Sequence, residues 1–312
     1  YLFGKVTANH ALGDIFARGG EALSATPGLW KLRKGGIANE IVLRGFQSRD
    51  LTVLIDGERV LGACPNHMDP PAFHVDFAQV DRIEVGKGPF EIRNQGSLGG
   101  AVNVITRKPE AGWHGRLNLA GGSFDFLNPS ANLSYGGREL SALVGYSYRV
   151  SDPYRDGAGS RVTEAAAYRG DEGESHAFEV GTAWGRLAWA PVAGHRLSLS
   201  YTRQQTDHVL YPYLLMDAVY DDTDRAQLAY EADRLGGLRG FKLRAYGTRV
   251  DHWMTDAWRT SAAGTPRGYS MGTRAKTESL GAKAEGSLGR LAVGVEWTRQ
   301  GWDGSTEMAG MQ

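Results

Sequence analysis

Cysteine is almost missing from this sequence. Cys64 is the one cysteine among 312 residues, so an intramolecular disulfide is excluded and the thiol is either a small buried hydrophobe or a reactive or metal-binding group. Net charge is missing too: 35 basic residues stand against 35 acidic ones, and nothing in that balance recruits nucleic acid or an anionic surface. No stretch approaches the roughly 18 uninterrupted apolar residues of a membrane-spanning helix. No charged, apolar, then small-residue leader opens the chain at Tyr1, so its start reads as mature or trimmed sequence.

Glycine is abundant at 43 residues, and 8 Trp accompany 13 Tyr. Mean hydropathy is only −0.36, which a β-barrel tolerates because lipid-facing and lumen-facing residues alternate along each strand. After Pro109 that alternation is plain. Leu140, Ala142, Val144, Tyr146 and Tyr148 alternate with Ser141, Leu143, Gly145, Ser147 and Arg149, and Leu197, Leu199 and Tyr201 alternate with Ser198, Ser200 and Thr202. The pattern predicts nine strands, over 113–123, 126–136, 139–151, 177–190, 195–207, 225–235, 238–254, 274–287 and 290–302. Tight turns at 136–138, 191–194, 236–237 and 288–289 alternate with long polar loops at 152–176, 208–224 and 255–273, as periplasmic turns and extracellular loops do in outer-membrane barrels.

Before Pro109 the texture is different. Residues 51–60 form a hairpin around the favoured Asp56-Gly57 turn. Two β-branched runs, Val80 to Gly88 and Gly96 to Thr106, are each bounded by Gly or Pro and read as strands entering sharp turns. Short amphipathic turns are expected over 11–16 and 20–28, ended by Pro27-Gly28.

Ile41 to Phe46, Leu54 to Gly57, Arg82 to Val85 with Gly88-Pro89, and Gly96 to Thr106 resemble, in order, the signatures of the plug domain of TonB-dependent outer-membrane transporters. The resemblance implies a membrane β protein: a mixed α+β plug over residues 1–110, seated in an antiparallel transmembrane barrel of the 22-stranded type that begins at 111–312. It also implies an outer-membrane location in a Gram-negative bacterium, contact with outer-membrane lipid, and energy from TonB with ExbB and ExbD. The TonB box is not identifiable. Nine strands cannot close such a barrel, so its remaining strands are expected beyond Gln312.

Two short motifs carry the candidate chemistry. In Cys64-Pro65-Asn66-His67-Met68, a helical turn begun by Pro65 would bring Cys64 and Met68 onto one face. In the strand ending His252-Trp253-Met254, even-numbered positions form the polar set, so His252 and Met254 are expected to face the lumen and Trp253 away from it. Thiolate and thioether are soft donors, suited to Cu(I) rather than to Fe(III), Mg or Ca. Cys-x-x-x-Met in the plug with His-x-Met in the barrel is similar to the copper-importing branch of these receptors, and the resemblance implies that Cys64, Met68, His252 and Met254 bind one copper ion. Accessory contacts to the metal are expected from His67, Met216, Met271, Met308 and Met311.

Each residue also has a plainer reading: inert packing for Cys64, gap filling for Met68, a solvated strand end for His252. A ferric siderophore, cobalamin or haem receptor would use aromatic and basic groups, for which Trp253, Trp258, Tyr211 and Tyr213 are candidates. An enzyme would need Cys64 as nucleophile and His67 as base, but no third orienting group accompanies them. Arg44, Arg82, Glu84 and Arg93 are expected to make polar contacts between plug and barrel wall.

Overall fold

The computed structural model describes residues 3–7, 27–47, 50–90, 93, 98–170, 172–263 and 267–310. The helical turns expected near 11–28 lie almost wholly outside those residues.

A five-stranded sheet forms the smaller unit. Its strands are β1 (Phe3–Thr7), β4 (Leu51–Ile55), β5 (Glu58–Arg59), β6 (Val80–Lys87) and β7 (Gly100–Thr106), in the order β1-β6-β7-β4-β5. β2 (Leu29–Leu32) and β3 (Glu40–Leu43) make a separate antiparallel pair. β4 and β7 run parallel while the other pairs are antiparallel. The register sets Val53 and Val85 on either side of Val102, and these strands with Leu43, Ile55, Val60 and Val80 enclose a fully apolar core. Each such side chain contributes about 1.5–3 kcal/mol on burial. Asp56 and Gly57 both take positive φ, 53° and 82°, the conformation a two-residue hairpin turn requires.

The larger unit is one antiparallel meander of nine strands: β8 (Gly112–Gly121), β9 (Leu127–Gly136), β10 (Leu140–Ser151), β11 (Phe178–Trp189), β12 (His195–Val209), β13 (Asp217–Leu235), β14 (Leu238–Thr255), β15 (Ser270–Leu288) and β16 (Leu291–Ala309). β8 and β16 are its edges among the described residues. The outward set is apolar: Leu117, Leu119, Leu133, Val144, Leu187 and Leu199 are all exposed. Trp113, Tyr135 and Trp189 cluster at the short-turn end, as in an interfacial aromatic girdle.

The strand expected to begin at 225 begins at Asp217, so the loop between β12 and β13 is 210–216 rather than 208–224. Residues 217–224 include four aspartates and read as a loop. In the fold Asp217, Asp221 and Thr223 are buried on the inward face, where polar groups belong, and a bulge between Ala218 and Tyr220 resets the alternation. β13 to β16 run to 19, 18, 19 and 19 residues, well beyond the roughly 9–11 that cross a bilayer. They therefore stand proud of it at the long-loop end.

The small sheet is tied to the inner wall of the large one. Arg186 of β11 donates from Nη2 to Asp56 Oδ2 at 2.8 Å and to Thr106 Oγ1 at 3.0 Å, pinning the hairpin turn. Arg82 instead pairs within its own unit, with Asp81 at 3.0 Å and Glu84 at 2.9 Å, which corrects the expected wall contact. Arg44 is exposed. Arg93 does reach the wall, through its carbonyl, which accepts Lys283 Nζ of β15 at 2.7 Å.

Candidate functional site

Local chemistry fixes the loop after β5. His67 N donates to Cys64 O at 3.0 Å, closing a β-turn with Pro65 and Asn66 at its centre, residues suited to those positions. His67 then takes φ 55°, so the helical turn expected from Cys64 to Met68 does not form. What brings the two sulfurs inward is Asp69. Its Oδ1 accepts Cys64 N at 2.9 Å and its Oδ2 accepts Ala63 N, folding the loop back on itself. Pro71 opens a 3₁₀ turn over Pro71–His74 that buries Phe73 and His74.

On the wall, β14 presents His252 and Met254 inward, both buried. Trp253 faces the other way, packed edge-on against Tyr220 with Arg274 4.6 Å from its ring centre. Across the ladder Ala218 opposes Met254 and Asp221 opposes His252. Ala218 is wholly buried, and its small side chain leaves room for sulfur.

Here the two units meet. Cys64 Sγ lies 3.5 Å from Met254 Sδ, although 190 residues separate them. Met68 belongs to the same buried cluster, with Ile37, Phe73, Val209 and Tyr211 around it, and Tyr211 donates its hydroxyl proton to Met68 O at 2.8 Å. His252 Nδ1 is 2.8 Å from Asp221 Oδ2. Its Nε2 has no hydrogen-bond partner, and the ring interacts with the Cys64 side chain. Cys64, Met68, His252 and Met254 are thus all buried where the two units meet, with the sulfurs of Cys64 and Met254 in contact.

Beneath the sulfurs lies a polar floor. Asp69, His74, Asp221, Thr223 and His252 are all buried. Burial and the neighbouring Asp221 carboxylate push the Asp69 carboxyl above its ordinary range, against the pull of His252, His74 and the Ala63 N–H. Sequence reasoning missed Asp69, His74 and Asp221. Asp69 had a faint signal, an Asx residue before a proline pair. Asp221 had none, because its partner is set by strand register.

The close approach of the loop to itself can be tested. A Cβ built on Gly62 would stand 2.1 Å from Asp69 O and 2.7 Å from its Oδ1. Backbone cannot yield there, so Gly62→Ala is expected to displace Asp69 and with it the backbone of Cys64. The Cys64 thiol in the full-length protein should then react with a maleimide at least tenfold faster, while the barrel stays folded on gels.

Among the accessory candidates, His67 is half-buried and contributes its carbonyl, which accepts Lys34 Nζ. Met216 packs against the sulfur cluster. Met271 and Met308 oppose each other on β15 and β16, with Met308 exposed; Met311 lies outside the described residues. The aromatic candidates do not converge. Tyr211 is buried over Met68, Trp253 faces outward, Trp258 packs tilted against His208 with ring centres 4.1 Å apart, and Tyr213 bonds to Tyr154.

Residues 16–101 match the model of the TonB-dependent Receptor Plug Domain. The chain is 31% identical over 106 residues to an iron-regulated outer membrane virulence protein of Vibrio cholerae, a match that covers 32% of this chain and 16% of that protein. Among solved structures it is similar to the copper transporter OprC, with a TM-score of 0.84 and 22% identity, covering 99% of this chain and 49% of that one. It is also similar to the FrpB iron transporter from Neisseria meningitidis, with a TM-score of 0.69 and 19% identity, covering 90% and 44%. The chain therefore spans about half the length of these structures. At such identities the likeness establishes the fold: a plug with part of an outer-membrane barrel.

Proposed function

We propose that this chain is the plug, over residues 1–110, and the first nine strands, over 111–312, of a TonB-dependent outer-membrane receptor that imports copper. The observation that carries the proposal is the 3.5 Å approach of Cys64 Sγ to Met254 Sδ in a pocket that also buries Met68 and the open Nε2 of His252. Two thioethers, a thiolate and an imidazole suit Cu(I) and suit ferric iron poorly. An aromatic, basic pocket for a siderophore or haem is not what Trp253, Trp258 and Tyr213 build.

Copper is the cargo. The sulfur atoms and Nε2 replace its hydration shell, and the apolar wall of Phe73, Val209 and Tyr211 keeps water from competing. Met216, Met271 and Met308, on the long-loop side, can pass the ion inward by weak thioether contacts. Binding this tight makes escape slow, so release needs work. Cys64 and Met68 stand on the plug while His252 and Met254 stand on the wall, so a pull by TonB, with ExbB and ExbD, that shifts the plug would split the ligand set.

Full-length receptor purified with copper is expected to hold one ion, with sulfur and imidazole scattering in its X-ray absorption spectrum. A protein that instead retains iron, haem or cobalamin, and takes up no copper, would overturn this reading in favour of the organic-ligand receptors.

A further inference from the structure

We infer that Asp221 is a positioning residue for copper, one that fixes which nitrogen of His252 meets the ion; the inference rests on the copper reading above. Asp221 and His252 are directly opposed on β13 and β14, both facing inward and both buried, at 1% and 0% exposure. Opposed side chains on one face have their Cβ atoms about 5 Å apart, so the 2.8 Å contact of Nδ1 with Oδ2 follows from the ladder register itself. A neutral imidazole carries one proton. Held on Nδ1 by the carboxylate, that proton leaves the Nε2 lone pair free.

The unsatisfied atoms point the same way. Among the described residues, His252 Nε2 and Asp221 Oδ1 are buried without a hydrogen-bond partner, a cost that folds rarely leave unanswered. An ion at Nε2 answers the first. Asp221 Oδ1 faces His74, whose Nδ1 is 3.7 Å away and 2.8 Å from Thr223 Oγ1, while its Nε2 is 3.2 Å from Asp69 O. His74, held by Thr223 and the Asp69 carbonyl, thus stands beside the carboxylate.

One other use of these groups can be weighed. Asp69, Asp221 and His252 have ligand atoms within 4.8 Å of one another, the spacing of a directly held cation. Both Asp69 oxygens already accept backbone N–H groups, and Asp221 Oδ2 is occupied by Nδ1. Two carboxylates and one imidazole fall short of the six to eight oxygens that a hard cation such as calcium takes. The carboxylates therefore serve the ligands rather than the ion: Asp69 sets the Cys64 backbone, and Asp221 sets the His252 ring.

The test uses full-length receptor carrying Asp221→Leu or Asp221→Asn, with Cu(I) added under reducing conditions. Affinity is read by chelator competition, coordination by X-ray absorption, and folding by heat-modifiable migration. Leu fills the space without accepting a proton, so affinity is expected to fall ten- to hundredfold, with imidazole scattering weakened and sulfur scattering retained. Asn offers an amide oxygen to the same Nδ1–H and should restore a large part of both. Wild-type affinity and undiminished imidazole scattering in the Leu variant would overturn this inference alone. So would an Asn variant as weak as Leu with its imidazole signal intact, since that pattern reports general loosening. Wild-type receptor that binds no copper would overturn the import reading, and this inference with it.

Discussion

Cys64→Ala in the full-length receptor is expected to weaken copper binding at least a hundredfold, about 2.8 kcal/mol at 1.4 kcal/mol per tenfold. Cys64 is the only thiol in the chain, and on binding Cu(I) as a thiolate it would be the one anionic sulfur donor. Removing it leaves two neutral thioethers and an imidazole, which hold Cu(I) by softness alone. The fold should survive, because Cys64 is a small side chain in an apolar cluster and alanine fits the same space. Its anchoring is by backbone, through Cys64 N to Asp69 and His67 N to Cys64 O, and neither contact involves the thiol. Cys64→Ser makes the sharper comparison: it keeps the shape but offers a hard hydroxyl, so it should bind as weakly as alanine. Copper retained at wild-type affinity in both variants would remove the thiol from the site and leave the cysteine as packing.

The second large effect is expected at a residue that is not one of the soft donors. Arg259 is buried at the loop end, where it forks onto Asp217 with Nε to Oδ2 at 2.7 Å and Nη2 to Oδ1 at 2.8 Å. It also donates to Tyr168 OH at 2.6 Å, Tyr211 O at 2.9 Å and Ala166 O at 3.0 Å, and its guanidinium lies 3.8 Å from the Tyr168 ring centre. One side chain thereby joins the three loops at 152–177, 210–216 and 256–269, and the middle loop holds Tyr211 over Met68. Breaking one partner of a buried, hydrogen-bonded ion pair costs about 3–5 kcal/mol, because Asp217 is left charged and without its cation.

Arg259→Ala should therefore open the loops while the barrel stays folded. Limited proteolysis should cut the loops faster by two orders of magnitude or more, and copper should leave sooner. The pair Asp217→Leu with Arg259→Met is expected to recover part of the protection, since apolar residues of similar size replace such a pair at little cost. Loops equally resistant in wild type and Arg259→Ala would show that the fork does not hold them.

Much of this architecture was legible in the sequence. Strand period, turn chemistry and loop alternation after Pro109 give the meander, because the side-chain period of two is written residue by residue. Asp56-Gly57 gives the hairpin for the same local reason. The inward parity of His252 and Met254 follows from alternation along β14 from Lys242 onward, past the irregularity between Arg239 and Lys242. The start of β13 was not legible. A strand start with four aspartates has the composition of a loop, and only pairing with β12 and β14 shows otherwise.

What the sequence determined by itself is the set of soft donors and the elements that carry them: a thiol and a thioether after the plug hairpin, an imidazole and a thioether two apart on a strand. Both follow from spacing within one segment. The tertiary structure decided the meeting of Cys64 with Met254, at 3.5 Å across 190 residues, and it decided what surrounds them. Asp221 stands against His252 by register, Asp69 folds the Cys64 loop by capping two amides, and Arg259 closes three loops over Met68. Those partnerships depend on which residue lies across a ladder or beneath a loop, and the local periods that make strands and turns carry no information about that.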